Sequence, residues 1–354
     1  MLEHDVSAGV EQVAETNNAG PLEERMQHHT FRITRGLIAA LLAAAGTAFA
    51  QNAPEWPSRP IRMIVPFAPG GATDFVARIL QPRLTEALGQ QVVVDNRGGA
   101  AGNIGVEIVA RAAPDGHTLL LGSVGPLAIN PALFPKFSVN PLRDLIPVTT
   151  IVDVPGALAI HSSVPGTTLK DFIEFARARP NQMNYGSAGA SSAQRLMMEF
   201  VMNKSGIKLT HIPYKGGAVA TAALLAGEVS ASLVSVTTFL PYVKTGRVKV
   251  IAVVAPRRLA QLPEIPTLAE SGFPQLTSAT WQGIYLPAGT PRPIVNRLHA
   301  VLQKILNDPL TIERLDVGGA QAMVSKSPEE FAEFMKVQTE FWARMVKQTG
   351  VEGE

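Results

Sequence analysis

Apolar positions along the chain alternate between two periods. The runs IRMIVPF (61–67), QVVVD (91–95) and HTLLLGS (117–123) are short, rich in branched residues and bounded by turn formers, which predicts strands. Between the first two, Val76, Ile79, Leu80, Leu84 and Leu88 recur at steps of three and four until Gly89, which predicts a helix over 74–88. A second helical pattern covers 101–113, and Asp115-Gly116 marks the turn into the third strand. The order βαβαβ predicts a parallel sheet with right-handed crossovers.

The alternation then restarts. VTTIVDVPGALAIH (148–161) predicts a long strand broken at Pro155-Gly156, followed by a helix at 168–178, a strand at MNYGS and a helix from about Ser191 to Lys204. Further strands are expected at 208–212, 229–234 and 248–254. A proline-rich stretch precedes the strand TWQGIYLP, and helices at 291–306 and 327–348 close the chain. SPEE at 327–330 supplies the last helix with an N-cap and an acidic first turn.

Two strand-to-helix transitions pass through unusually small residues. In IVPFAPGGATDFVARIL (64–80) the turn is Pro69-Gly70-Gly71, and Thr73 or Asp74 can cap the helix. Glycine lets another group approach the main chain, and a helix start offers unpaired N–H groups and partial positive charge. The stretch is therefore either a bare βα turn or an anion cradle. YGSAGASSAQRLMMEF (185–200) repeats the theme, with Gly186, Ser187, Gly189, Ser191 and Ser192 at a second helix start. Two such loops in two α/β units can face each other across a crevice, where ligands of open sheets bind, and this favours the cradle.

Composition narrows the chemistry. None of the 354 residues is cysteine, which excludes disulfides, thiolate catalysis and zinc–sulfur sites. MQHHTFRITRGLIAALLAAAGTAFAQ (26–51) has the layout of a signal peptide, with Arg32 and Arg35, an apolar stretch from Gly36 to Ala45 and Ala48-Phe49-Ala50 before the expected mature start at Gln51. Met26 is read as the start of translation. The expected leader, 1–50, holds 3 of the 31 basic and 6 of the 29 acidic residues, so the mature chain of 304 residues carries +5. That charge is mild, and no basic run with interleaved aromatics points to nucleic acid. No second long apolar run follows, so the mature chain is expected to be soluble.

Enzyme signatures fail one by one. Counting from Gly70, the dinucleotide pattern meets Ala72 and Phe75 where glycines are required, and no P-loop is present. Neither Ser123 nor Ser187 has a glycine two residues before it, so neither forms a nucleophile elbow. The mature chain has four histidines, His117, His161, His211 and His299, in different elements and without metal-ligand spacing, which predicts structural roles.

PFAPGGATDFVAR, NRGGAAGNIGVE, APDGHTLLLGS, INPAL, NYGSAGASS, PYKGGA, PEIPTLAESG and LPAGTP occur in this order. Together they make residues 57 to 350 resemble the periplasmic substrate receptors of tripartite tricarboxylate transporters, the Bug family. The resemblance implies an α/β, two-domain periplasmic binding protein, a type II-like Venus flytrap, that captures small carboxylates for a membrane permease and has no enzymatic activity, cofactor or metal. It implies a periplasmic, monomeric protein. Domain 1 would comprise 51–154 and 277–354, and domain 2 would comprise 155–276, with hinges near Val154–Ala157 and Ala279–Tyr285. The family's ligand loops fall on Phe67, Ala68, Pro69, Gly70, Gly71, Ala72, Thr73 and Asp74, and on Ser187, Ala188, Gly189, Ala190, Ser191 and Ser192, with Ser123 as a third contact. Many members carry His where this chain has Arg195 and Asp where it has Ala223; if both approach the cleft, it is more cationic than usual and disfavours a free amine on the ligand. Asp74 either caps its helix or meets a donor on the ligand. The expected ligand is a dicarboxylate, hydroxy acid or aromatic acid. Two alternatives remain: a periplasmic sensor acting on a signalling partner, and an exported hydrolase using Ser123 or Ser187.

Overall fold

A computed structural model describes residues 56–352 apart from 191, 244, 278 and 279. The expected leader with its cleavage site, Ser191 and Ala279 lie outside the described residues.

Two sheets organise the described chain. The first opens with β1 (Ile61–Val65), α1 (Ala72–Leu88), β2 (Val92–Asn96), α2 (Asn103–Ala110) and β3 (Thr118–Ser123). β1 pairs parallel with both β2 and β3, as the βαβαβ pattern requires. Short helical turns follow, α3 (Asn130–Leu133) and α4 (Pro141–Asp144), and then β4 (Leu145–Val154).

Pro155 separates β4 from β5 (Gly156–His161), and with β5 the chain enters the second sheet. There follow α5 (Leu169–Arg177), β6 (Asn184–Ser187), α6 (Ala193–Ser205), β7 (Thr210–Pro213), α7 (Gly217–Ala226), β8 (Ala231–Ser235), α8 (Val236–Val243) and β9 (Val248–Val254). β10 (Thr280–Pro287) returns to the first sheet, antiparallel to β3 and β4, and α9 (Arg292–Leu306), α10 (Pro309–Val317), β11 (Gln321–Ala322) and α11 (Pro328–Thr349) complete it. Strand order is β11-β4-β10-β3-β1-β2 in the first sheet and β7-β6-β8-β5-β9 in the second.

Burial explains why these segments hold. On α1, Val76, Leu80 and Leu84 are fully buried and Leu88 is 5% exposed, one stripe of the helix laid on the first sheet. Each such side chain contributes about 1.5–3 kcal/mol over its exposed state. The first strands read as continuous apolar runs because both sheet faces are covered: Met63 and Val65 pack on the α1 side, Ile64 and Leu120 on the other. Gly89, at φ 68°, ends α1 in the left-handed region. Ser327 caps α11 by accepting from the Glu330 N–H, as SPEE predicts. Helices α7, α8 and α10 were not legible as periodic segments: GAVATAALLA is apolar on nearly every face, and the other two are short.

Candidate functional site

The strands of both sheets that run parallel, β1, β2, β3, β6, β7 and β8, carry loops at their C-terminal ends, and these loops surround one cavity. It encloses about 670 Å³ of empty space, open solvent at its mouth included.

The loop from β1 to α1 forms one wall. Its two glycines do different jobs. Gly70 has φ +83°, a conformation that favours glycine; Gly71 has φ −82° and ψ 173°, which any residue adopts. A methyl group at Gly71 would meet only the Ala68 carbonyl oxygen, at 3.8 Å, so neither packing nor backbone conformation requires glycine here. Helix α1 starts directly after Gly71 with no side-chain cap, which leaves the first-turn N–H groups without a side-chain acceptor. Phe67, Gly71, Ala72 and Thr73 lie on the cavity wall.

Asp74, expected as a cap or a ligand contact, does something else. Its side chain is 4% exposed and is not on the cavity wall; Oδ2 accepts from the Gly70 N–H and from Arg78 Nε, both at 2.9 Å. Burial pushes its carboxyl up, but the Arg78 guanidinium and the Gly70 N–H outweigh that and hold it below the usual range. Asp74 therefore fixes the turn from behind, and the N-cap is Gly71 rather than Thr73 or Asp74. Ala68, Pro69 and Gly70 likewise stand off the wall.

The loop from β6 to α6 is built differently. Ala188, Gly189 and Ser192 reach the wall. Ser187 is fully buried and off the wall: its Oγ donates to the Gly189 carbonyl at 3.0 Å, accepts from the Gly189 N–H at 3.2 Å and lies 2.7 Å from His211 Nε2. Ser192 caps α6 by accepting from the Arg195 N–H. Arg195 is 7% exposed and turns away from the cavity, its guanidinium donating to the Ala190 carbonyl at 2.9 Å. Ala190 itself faces an adjoining recess with Ala100, Tyr214 and Lys215. Beneath the loop, Tyr185 donates to Glu199 at 2.5 Å and its ring lies 5.0 Å from that of His211. Burial, with the Arg195 charge behind it, pushes the His211 pKa down to about 4.

The expected cationic tilt of the cleft does not follow from side chains. Arg195 spends its guanidinium on a backbone carbonyl, and Ala223 is packed in the core against the second sheet. Every side chain on the described cavity wall is uncharged.

Several wall residues were not singled out from sequence. Gly216 and Gly217 line the cavity at the start of α7, which also has no side-chain cap, so a third helix N-terminus points inward. A methyl group at Gly70 would lie 3.7 Å from Ala218 Cβ, so the starts of α1 and α7 are close across the cavity. Ala101 belongs to a run, Gly99 to Gly102, with four consecutive positive φ angles. NRGGAAGNIGVE and PYKGGA were quoted as blocks of the resemblance, and their doubled glycines were the available signal. The floor and far wall carry neutral hydrogen-bonding groups: Ser123, Gln194, Ser235, Thr238, Thr280 and Gln282. These sit on elements without local peculiarity and only the fold gathers them. Ser123 is on the wall, and no histidine among the described residues shares it.

Residues 76–351 match a family profile described as tripartite tricarboxylate transporter family receptor. Among solved structures, the periplasmic binding protein BugD is 36% identical with a TM-score of 0.81, covering 84% of this chain and all of that one. Rpa4515 of R. palustris, solved with adipate, is 32% identical at TM-score 0.81, covering 84% of this chain and 99% of that one. MatC from Rhodopseudomonas palustris, with bound malate, is 31% identical at TM-score 0.77, covering 82% of this chain and 100% of that one.

Proposed function

The chain belongs to the tripartite tricarboxylate transporter receptor family, and we propose that it serves there as a periplasmic receptor that binds a small carboxylate in this cavity and delivers it to a membrane permease. One observation carries the reading: α1 and α7 open onto the cavity at glycines with no side-chain cap, while no acidic side chain stands on the described wall. An anion there meets unpaired N–H groups and the positive ends of two helices. The adipate and malate in the solved relatives are small carboxylates and support the same ligand class.

The ligand contacts we propose are the backbone of Gly71, Ala72, Thr73, Gly216 and Gly217, with Ser123 and Ser192 as side-chain partners. Domain 1 would be 51–154 with 277–354, domain 2 would be 155–276, and closure would turn on Pro155 and the connection into β10. No helix among the described residues is long and apolar enough to cross a membrane, which fits a receptor released after signal cleavage. Catalysis is not part of this reading: Ser187 is buried beneath its loop and Ser123 has no histidine beside it on the wall.

A thermal-shift screen of mono-, di- and tricarboxylates beside amino acids, amides and sugars tests the proposal. Ligand at 100 times its Kd should stabilise the protein by about 2.7 kcal/mol. The reading predicts that carboxylates alone shift the melt; a shift produced only by neutral amides or sugars would overturn it.

A further inference from the structure

Basic residues are unevenly distributed along the chain. Residues 155–276 hold 12 basic and 6 acidic residues, against 16 and 17 in the rest of the expected mature chain. The second sheet shows where the excess goes. Its register sets His161, Asn184, Thr210, Ala231 and Val248 at one end, and the cavity loops leave the other. On or beside the connections at the far end stand Arg177, Arg179, Lys204, Lys208, Arg247 and Lys249, all exposed except the half-buried Lys249. Backbone contacts tie these connections into one face. Arg177 Nη2 donates to the Ser205 carbonyl at 2.9 Å, the Asn181 N–H donates to the Lys208 carbonyl at 3.1 Å, and Lys249 Nζ donates to the Val164 carbonyl. None of the six cations makes an ion pair among the described residues. The acids on the same connections are already engaged: Asp171 closes the capping box of α5, Glu174 pairs with Lys170 at 4.0 Å, and Glu228 accepts from the Tyr214 hydroxyl at 3.5 Å.

We propose that this face, at the end of the second sheet away from the cavity, docks on an anionic lipid surface. Like charges gathered without counter-charges repel one another, and an anionic partner turns that repulsion into attraction. The cations stand on three connections far apart in sequence and on long flexible stems, which suits a diffuse array of headgroups. Two of them lie over apolar rings: the Arg179 guanidinium is 3.9 Å from the centre of Phe175, and Lys204 Nζ is 5.8 Å from that of Phe200. Both rings are half-buried, so apolar surface sits directly under charge, as it does at the boundary between headgroups and acyl chains. Helix α6 runs from the cavity wall at Ser192 to this face at Ser205, a separation of about 20 Å. That exceeds the Debye length of about 8 Å in physiological salt, so these charges do not act on the ligand. A receptor held this way stays beside the membrane while its cavity still exchanges with solvent. The proposal is independent of which ligand the cavity takes.

Co-sedimentation of the exported protein with vesicles tests this. One set is phosphatidylcholine alone and the other is phosphatidylcholine mixed with an equal amount of phosphatidylglycerol. The protein should partition to the anionic vesicles at least about tenfold more strongly than to the neutral ones, and high salt should remove the difference. A variant combining Arg179→Gln, Lys204→Gln, Lys208→Gln and Arg247→Gln should lose at least about tenfold of that partition. A control combining Lys304→Gln, Lys326→Gln, Arg344→Gln and Lys347→Gln removes as many exposed cations from α9, α11 and the segment before α11, and should stay within about threefold of the natural protein. Both variants should keep the natural melting temperature and the natural thermal shift with ligand, which shows that fold and cavity are intact. No preference for anionic vesicles, or an equal loss in the control, overturns the proposal. Capture by polyglutamate without binding to vesicles also overturns it, and assigns the face to an acidic protein partner.

Discussion

The two loops that looked alike in sequence are built on opposite plans. The β1–α1 loop keeps its helix start open: a glycine cap, no side chain on the first-turn N–H groups, and its one acid, Asp74, turned back to hold Gly70 from behind. The β6–α6 loop closes on itself. Ser192 occupies the Arg195 N–H, Ser187 occupies both backbone groups of Gly189, and Arg195 holds the Ala190 carbonyl. A run of small residues at a helix start is thus not one device. In the first loop no side chain occupies the helix start; in the second, side chains take up the backbone groups of Gly189, the Ala190 carbonyl and the Arg195 N–H.

The largest expected effect separates access from folding in the first loop. Gly71→Val adds a branched side chain where φ is −82° and the nearest obstacle is a carbonyl oxygen 3.8 Å away. Carboxylate affinity should fall by about 100-fold or more, near 2.7 kcal/mol, while the ligand-free melting temperature moves little. Calorimetry with a parallel thermal melt checks both halves. Unchanged affinity would make the loop a bare turn.

In the second loop the order of effects should invert. Arg195→Ala leaves the Ala190 carbonyl without its donor and opens a buried site. The ligand-free melting temperature should fall by about 2–6 °C, with a smaller loss of affinity of about three- to tenfold that reaches the ligand only through loop position. A large loss of affinity with no change in melting would place the guanidinium in direct contact with the ligand.

Next in size are two opposed proton linkages. The folded His211 titrates near 4 against an ordinary 6.5, so the unfolded chain takes up a proton first as pH falls through that window, and stability is lost. Burial pushes Asp153, on β4, the other way, up to about 6 from an ordinary 3.8. The folded state then holds a proton that the unfolded state has released, so stability falls as pH rises from about 3.8 to 6 and stays flat above. The two slopes oppose each other between about pH 4 and 6. Asp153→Asn should steepen acid loss and raise stability at pH 7.5, and His211→Gln should reverse the acid limb, each by about 1–3 kcal/mol. Urea titrations at pH 4.5, 5.5 and 7.5 read this directly, and parallel curves for all three proteins would refute it.

The smallest effect concerns Gly70. At φ +83° an alanine costs about 1 kcal/mol of stability, and its methyl group would sit 3.7 Å from Ala218, an ordinary contact. Gly70→Ala should lower the melt slightly and change affinity far less than Gly71→Val. The reverse ranking would mean that access lies at Gly70.

What was legible in the chain follows from what local periodicity encodes. The βαβαβ unit, the break at Pro155-Gly156 and the cap at Ser327 are written in adjacent residues, and each appears at or within a few positions of its expected place. The α7 helix was missed because an all-apolar decamer carries no amphipathic period. Arg195 stayed open between cleft and surface because sequence shows that a charge is near a loop but not which way the side chain turns; here its guanidinium donates to the Ala190 carbonyl. Gln282, Thr280 and Ser235 were invisible as a group, since strands distant in sequence bring them together and no spacing announces it.

The central claim is that main-chain N–H groups of the first loop, rather than any charged side chain, hold the carboxylate. Amide chemical shifts in ¹⁵N-labelled protein, titrated with the tightest carboxylate from the screen, test it most directly. The account predicts the largest downfield amide-proton shifts at Ala72, Thr73 and Gly217, with smaller changes at Ala190 and Arg195, whose hydrogen bonds are already made. Large shifts confined to Ala190, Arg195 and the Arg195 guanidinium, with the first loop silent, would contradict it.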